Sequence, residues 1–318
     1  MRTSRTLALG AASLVLMMSA CSPGESGGSP SASEGAPSAS EAPKPAVSVG
    51  SAGFYEAAVV GEMYAQALEA KGYTVERLLE IGERPAVHAA FDAGEVNLIP
   101  EYLGGLAGAL AVEPLASDPQ EAWDNMQAAL ADKGWVAFDF SPGTDADGFA
   151  VRQETAEQLE LVTLTDVAAV ADQLVWGLAP GCPENPNCGP GLNEVYGIDV
   201  YGGQIEVETL EPCSTAMAEA LNNEVIDIAQ VCTTQPDIVT FNFALLDDDK
   251  QLQPAQNLVP VASQELATGA PDDFAETLNA IQAALTTEVL TQLGVEIVVN
   301  QMSLEDVART FLEDNGLL

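Results

Sequence analysis

Basic residues are nearly missing from this sequence: 10 Lys and Arg stand against 48 Asp and Glu, with one histidine, for a formal charge of −38 over 318 residues. Nucleic-acid binding needs clustered cations to meet phosphates, and attachment to anionic lipid needs a polybasic stretch, so this shortage excludes both. No C-x-x-C and no His-Glu pair is present, and no G-x-S-x-G stands at a strand-to-helix turn, so neither a zincin nor a hydrolase triad can be assembled around the lone His88. That histidine sits mid-helix beside Val87, where a hydrogen bond at the surface or between lobes is the expected role. Gly104, Gly105 and Gly108 form no phosphate-cradling motif, and with 48 acids no two of them define a glycosidase-type dyad. No enzyme, metal site or cofactor is expected.

Long apolar runs are also lacking. The one near the start, Leu7 to Met18, is too short to span a bilayer and follows the cations Arg2 and Arg5. It ends in Met18-Ser19-Ala20-Cys21, small residues before a cysteine, and resembles a bacterial lipoprotein signal in which the cysteine is lipidated and becomes the first mature residue. Met18 departs from the Leu usual at that position. Loss of residues 1–20 removes two cations, taking the charge from −38 to −40. Residues 22–46, rich in Ser, Pro, Ala, Gly and Glu, lack the apolar surface to repay ordering and are expected to be a flexible tether. The mature chain would thus be held outside the cell membrane by lipid alone. Its acidity gives a soluble, self-repelling surface, and a field that can concentrate a cationic ligand.

Four cysteines remain, and an even number in an exported chain favours two disulfides, with three connectivities open. Cys182 and Cys188 bracket the turn-forming Pro183-Glu184-Asn185-Pro186-Asn187, which a local bridge would close, leaving Cys213 with Cys232. The latter two each follow an expected strand, Gln204–Val207 and Ile226–Val231.

What is present in quantity is apolar residue, 47%, ample for a core. From Val47 short apolar runs alternate with helical stretches: strand Val47–Gly50, a helix from Phe54 to Ala70 ended by Gly72, strand Tyr73–Leu79, helix Pro85–Ala93 and strand Val96–Ile99. The first helix places Ala58, Gly61, Tyr64, Ala65 and Leu68 on one face. Strand Val175–Leu178, helix Thr215–Asn222 and two or three helices within Asp272–Leu318 follow. Such alternation predicts an α/β fold with parallel sheets covered by helices, and the length predicts two lobes.

An ordered series of segments carries a resemblance. Gly50-Ser51-Ala52-Gly53-Phe54-Tyr55-Glu56, Gly61-Glu62-Met63-Tyr64 and Asn97-Leu98-Ile99-Pro100-Glu101-Tyr102-Leu103-Gly104 open it. Pro190-Gly191-Leu192 to Tyr196-Gly197, Thr233-Thr234, Leu252 to Asn257, Val259-Pro260-Val261 and Glu305-Asp306-Val307-Ala308 continue it. Residues 47–318 resemble the substrate-binding proteins of osmoprotectant ABC importers, the glycine betaine/choline/carnitine binders. The resemblance implies a two-lobed, hinged periplasmic-binding-protein-like fold (type II, Venus-flytrap) closing on ligand in an interlobe cleft. Lobe 1 would comprise 47–140 and 235–318 and lobe 2 141–234, with crossings near Ala137–Thr144 and Thr233–Asp237. The implied partners are a small-molecule ligand and, for the closed form, a permease with its ATPase. The protein is expected to act as a monomer.

The resemblance also implies a cage of rings around a quaternary ammonium, with a Lys and an Arg on the ligand carboxylate. Matched by position, Tyr102 keeps one ring. The expected Lys is Ala52, the expected Thr is Gly105 and the expected Arg is Asn185. Rings are replaced by Asp147, with Asp145 two residues before it, by Cys232 and by Gln256. Phe54, Tyr55, Phe149 and Tyr196 could compensate. Phe54 and Tyr196 read first as lobe packing, whereas Tyr55, opening a helix where the family has a small polar residue, is the best relocated ring. The implied site, Tyr102, Asp147, Gln256, Tyr55, Asp145, Ala52 and Gly105, has lost its carboxylate partners. It therefore suits a choline-like cation, or a neutral polyhydroxylated solute such as a sugar, better than glycine betaine. The competing reading is a non-transport envelope lipoprotein, a receptor or adaptor on the same fold.

Overall fold

The structure, a computed structural model, describes residues 44–318. The leader, Cys21 and the tether up to residue 43 lie outside the described residues. Lys44, expected in the tether, is tied to the fold: it donates from Nζ to the Lys71 carbonyl at 2.7 Å, pairs with Asp273 and stands 4.5 Å from the centre of the Tyr73 ring.

The strands follow in the order β1 (Val47–Gly50), β2 (Val75–Leu78), β3 (Leu98–Tyr102), β4 (Trp135–Ala137), β5 (Asp147–Arg152), β6 (Val175–Leu178), β7 (Glu206–Thr209), β8 (Ile228–Cys232), β9 (Phe243–Leu246) and β10 (Leu258–Ser263). They build two five-stranded sheets, β2-β1-β3-β10-β4 and β7-β6-β8-β5-β9. Neither is purely parallel, against expectation. β10 runs antiparallel to β3 and β4, and β5 runs antiparallel to β8 and β9. The reason is topological: β5 and β10 are the strands by which the chain enters a lobe from the other one. Each starts at the edge where the parallel strands of its sheet end, and so must run against them.

Helices cover both faces of the first sheet. Tyr55–Ala70 lies on one face, with every residue from Glu56 to Leu68 buried, because the C-terminal helices Asp273–Ala284, Thr287–Gly294 and Leu304–Asp314 close over its outer side. The single apolar stripe expected for it is therefore a helix buried all round. Arg84–Asp92, Leu103–Ala109 and Pro119–Lys133 pack on the other face through Val87, Phe91, Leu106 and Met126. In the second lobe Phe149 and Trp176 meet edge to face at 5.7 Å within the core, so Phe149 is no pocket ring.

The chain leaves β4 and reaches β5 through residues 138–146. The return lies beyond the expected Thr233–Asp237: after Thr233-Thr234 the chain adds β9 beside β5 and comes back only through residues 252–257. The boundary expected at 235 thus moves beyond β9, whose Phe243 and Leu246 belong to the second core. The two crossing segments lie side by side, with Ser141 N–H on the Leu258 carbonyl (2.8 Å) and Asn257 Nδ2 donating to the Ser141 carbonyl (3.0 Å). Disulfides join Cys182 to Cys188 and Cys213 to Cys232, as the spacing suggested.

Candidate ligand-binding site

The carboxyl ends of β1 and β3, the start of helix Tyr55–Ala70 and both crossing segments converge on one group of side chains. Tyr102 closes β3 and is buried; its phenol donates to Glu56 Oε1 at 2.6 Å. Glu56 stands in the first turn of the helix, where a negative charge suits the partial positive charge of the helix start. Its other oxygen, Oε2, is shut off from solvent without a hydrogen-bond donor. Asp145, in the first crossing, has its N–H on the Gln256 carbonyl (3.1 Å) and likewise keeps a shielded, unpartnered oxygen, Oδ1. Asp147 opens β5 opposite Cys232, within reach of the Gln230 amide.

These three acids sit uneasily as charges. Burial, with help from Asp145, pushes the Glu56 carboxyl up to about 8, against the bond from Tyr102 and the nearby Thr234 hydroxyl. Burial also raises Asp145, the neighbouring Asp147 adds to the rise, and the Thr234 hydroxyl and N–H oppose it. Asp147 is raised by burial too. Among the described residues, no Lys or Arg is among the groups acting on any of the three. The phenol of Tyr102 is held well above its ordinary range by burial first and then by Glu56 and Asp145.

The other expected residues fall around this cluster in different roles. Tyr55 directs its hydroxyl to the Thr234 carbonyl at 3.4 Å, wedged against Gly294, so its polar end joins the lobes. The ring that accompanies Tyr102 is Phe54, 43% exposed and with its centre 5.9 Å from that of Tyr102; the packing role expected for it gives way to a place at the site. Tyr196 donates to Asp248 at 2.5 Å within the second lobe. Gln256 Oε1 accepts from the Gly105 N–H (3.1 Å), tying the return segment to the turn after β3. Ala52 lines a cavity of about 70 Å³ with Phe54, Arg84, Glu101 and Tyr102. Gly105 is the seat of Arg84: a Cβ there would come within 2.4 Å of Nη2. Asn185 Oδ1 accepts from Asn187 N–H and shapes its own loop.

Glu56, Thr234 and Arg84 were not singled out from the sequence as site residues. An acid directly before the apolar run Ala57 to Gly61 was the signal for Glu56; the pairing of Arg84 with Glu101 through Nε, at 3.0 Å, had none. His88 is half-buried within the first lobe, with its Nε2 2.6 Å from Glu101 Oε1 and its ring 5.0 Å from that of Trp135. One group of three metal-type ligands gathers within 4.8 Å among the described residues, Asp147, Cys213 and Cys232, and its two sulfurs are joined in a disulfide.

This arrangement of sheets, crossings and cleft residues has relatives. Residues 45–314 match the family described as the substrate binding domain of ABC-type glycine betaine transport systems. The chain belongs to that family. It is 25% identical to the glycine betaine-binding protein YehZ of Escherichia coli K12 over 281 residues, covering 85% of this chain and 90% of that one. It is 26% identical to the carnitine transport binding protein OpuCC of Listeria monocytogenes over 284 residues, 86% of this chain and 88% of the other. A crystal structure titled as a glycine betaine/carnitine/choline ABC transporter superposes with a TM-score of 0.78 at 24% identity, over 85% of this chain and 99% of that one, and shares its fold. As a substrate-binding protein of this family, the chain has the two-lobed architecture in which a ligand is held between sheets.

Proposed function

We propose that this protein is the extracytoplasmic receptor of an ABC importer, held to the outer face of the cell membrane by a lipid on Cys21. It captures a small organic solute bearing a positive charge and delivers it, as a monomer, to the permease and its ATPase. The observation that carries the charge assignment is the acidic group Glu56, Asp145 and Asp147, raised by burial, with no Lys or Arg among the described residues acting on it. A ligand cation would supply the missing countercharge in a site of low dielectric, where the attraction is strongest. Tyr102 and Phe54 provide ring surface beside it.

Glycine betaine is disfavoured by the same residues. Its carboxylate would need a cation, yet Ala52, Gly105 and Asn185 carry none, and Arg84 is engaged with Glu101. The reading is tested by thermal shift and calorimetry on the purified protein against small cations, betaines, sugars and polyols. A bound cation at a hundredfold its Kd stabilises the fold by about 2.7 kcal/mol. Stabilisation by a sugar or polyol, with none by any cation, would overturn it.

A further inference from the structure

The acceptors of the site bear on what kind of cation it takes. Glu56, 1% exposed, keeps Oε2 unpartnered, and Asp145 keeps Oδ1 unpartnered and shut off from solvent. Asp145 is close enough for its charge to act on Glu56. A buried acceptor without a donor costs about 1–3 kcal/mol, and more when ionised, until a donor arrives. A quaternary ammonium brings none, because its charge is wrapped in methyl groups; it is held by aromatic faces instead. Those faces are few here. Phe149 and Tyr196 belong to the core of the second lobe, which leaves the rings of Tyr102, Phe54 and Tyr55 near the acids. The positions that replace rings carry a carboxylate (Asp147), a disulfide sulfur (Cys232) and an amide (Gln256).

We propose that the cleft takes a primary or secondary ammonium, whose N–H groups donate to Glu56 Oε2 and Asp145 Oδ1, in place of a quaternary ammonium. The inference rests on the cationic reading given above and narrows it to one class of cation. Charge-assisted hydrogen bonds are about twice as strong as neutral ones, and they are directional. Methylation of the ligand nitrogen therefore removes the donors and adds volume at the point of closest contact. Tyr102 keeps a useful part in this scheme: its phenol fixes Glu56 through Oε1 and so aims Oε2 as the free acceptor.

Matched pairs that differ only in N-methylation test this directly: ethanolamine with choline, glycine with glycine betaine, and 1,4-diaminobutane with its hexamethylated counterpart. Calorimetric titration of the purified protein should give at least tenfold tighter binding of the unmethylated member in each pair that binds. Glu56→Gln, which retains an acceptor for Tyr102, should weaken that member at least tenfold, and Asp145→Asn should act in the same direction. Tighter binding of the methylated member in any pair overturns this inference while leaving the cationic reading in place. No binding in all three pairs overturns both together.

Discussion

Without ligand, this protein should lose stability as pH rises from 6 to 8, and Glu56 should be the main cause. Its carboxyl is raised from an ordinary 4.5 to about 8, first by burial and then by Asp145. The native state therefore holds a proton that the unfolded chain has already released, and stability contributed by that proton is complete below about 4.5 and lost as pH passes through about 8. Between pH 6 and 8 the linkage amounts to about 2 kcal/mol, from a limiting slope of about 1.4 kcal/mol per pH unit. For a chain of this size that is a fall in Tm of roughly 5 °C. The groups that face Glu56 are Asp145, Tyr102 and Thr234; Asp145 is raised as well and acts with the same sign, while the phenol of Tyr102 titrates far above this window. Repulsion among surface carboxylates is already complete at pH 6, so it adds little to the slope. Scanning calorimetry at constant ionic strength should show the fall in the wild type and a much flatter profile in Glu56→Gln, which should also be the more stable of the two at pH 8. An equal slope in both proteins, or a rise with pH, would refute the assignment. A cationic ligand should draw the proton off, so its binding enthalpy at pH 7 should vary with the ionisation enthalpy of the buffer.

Tyr102→Phe removes a bond that holds the Glu56 pKa down, so the pH window of the stability loss should move upward, at a cost of about 1–3 kcal/mol in calorimetry. Gly143→Ala should destabilise by at least 1–3 kcal/mol in urea titration, since a Cβ there would stand 2.6 Å from the Leu285 carbonyl oxygen and has only backbone to displace. Replacing Cys213 and Cys232 together by Ser opens a bridge spanning 19 positions and should cost about 3 kcal/mol by loop entropy, with peptide mapping confirming that Cys182–Cys188 persists. Cys21→Ser should release the protein from the membrane fraction, and retention of the variant there would count against the lipid anchor.

Much of the fold could be read from local pattern because local forces make it. Strands Val47–Gly50 and Val175–Leu178 and helix Thr215–Asn222 occur at the bounds read from apolar runs and caps, and Ser214 accepts from the Met217 N–H as an N-cap should. Helix Pro119–Lys133 was missed although its signals were present: Asp118 accepts from Glu121 N–H, Pro119 follows, and Gly134 ends it at φ 70°. Strand β3 begins at Leu98 and runs on to Tyr102, later than the run Val96–Ile99 suggested, because β10 pairs with it from Leu98, opposite Ala262, to Tyr102, opposite Leu258. The direction of β5 and β10 and the place of β9 were not legible, since they depend on how the chain passes between lobes and not on any stretch of it.

The candidate site divides along the same line. The sequence, through its resemblance, led to the expectation that Tyr102 is kept, that Ala52, Gly105 and Asn185 stand for a Lys, a Thr and an Arg, and that Asp147, Cys232 and Gln256 stand where rings were expected. Composition alone determined that the chain is an acidic, cation-poor molecule. Only the tertiary structure decided that Glu56 meets Tyr102 across 46 positions, that Tyr55 meets Thr234 across 179, and that Arg84 lies over Gly105. The physical reason is burial. A carboxyl at the start of a helix is an ordinary solvated cap until the lobes and C-terminal helices close water away from it, and that closure makes Glu56 a group in need of a partner.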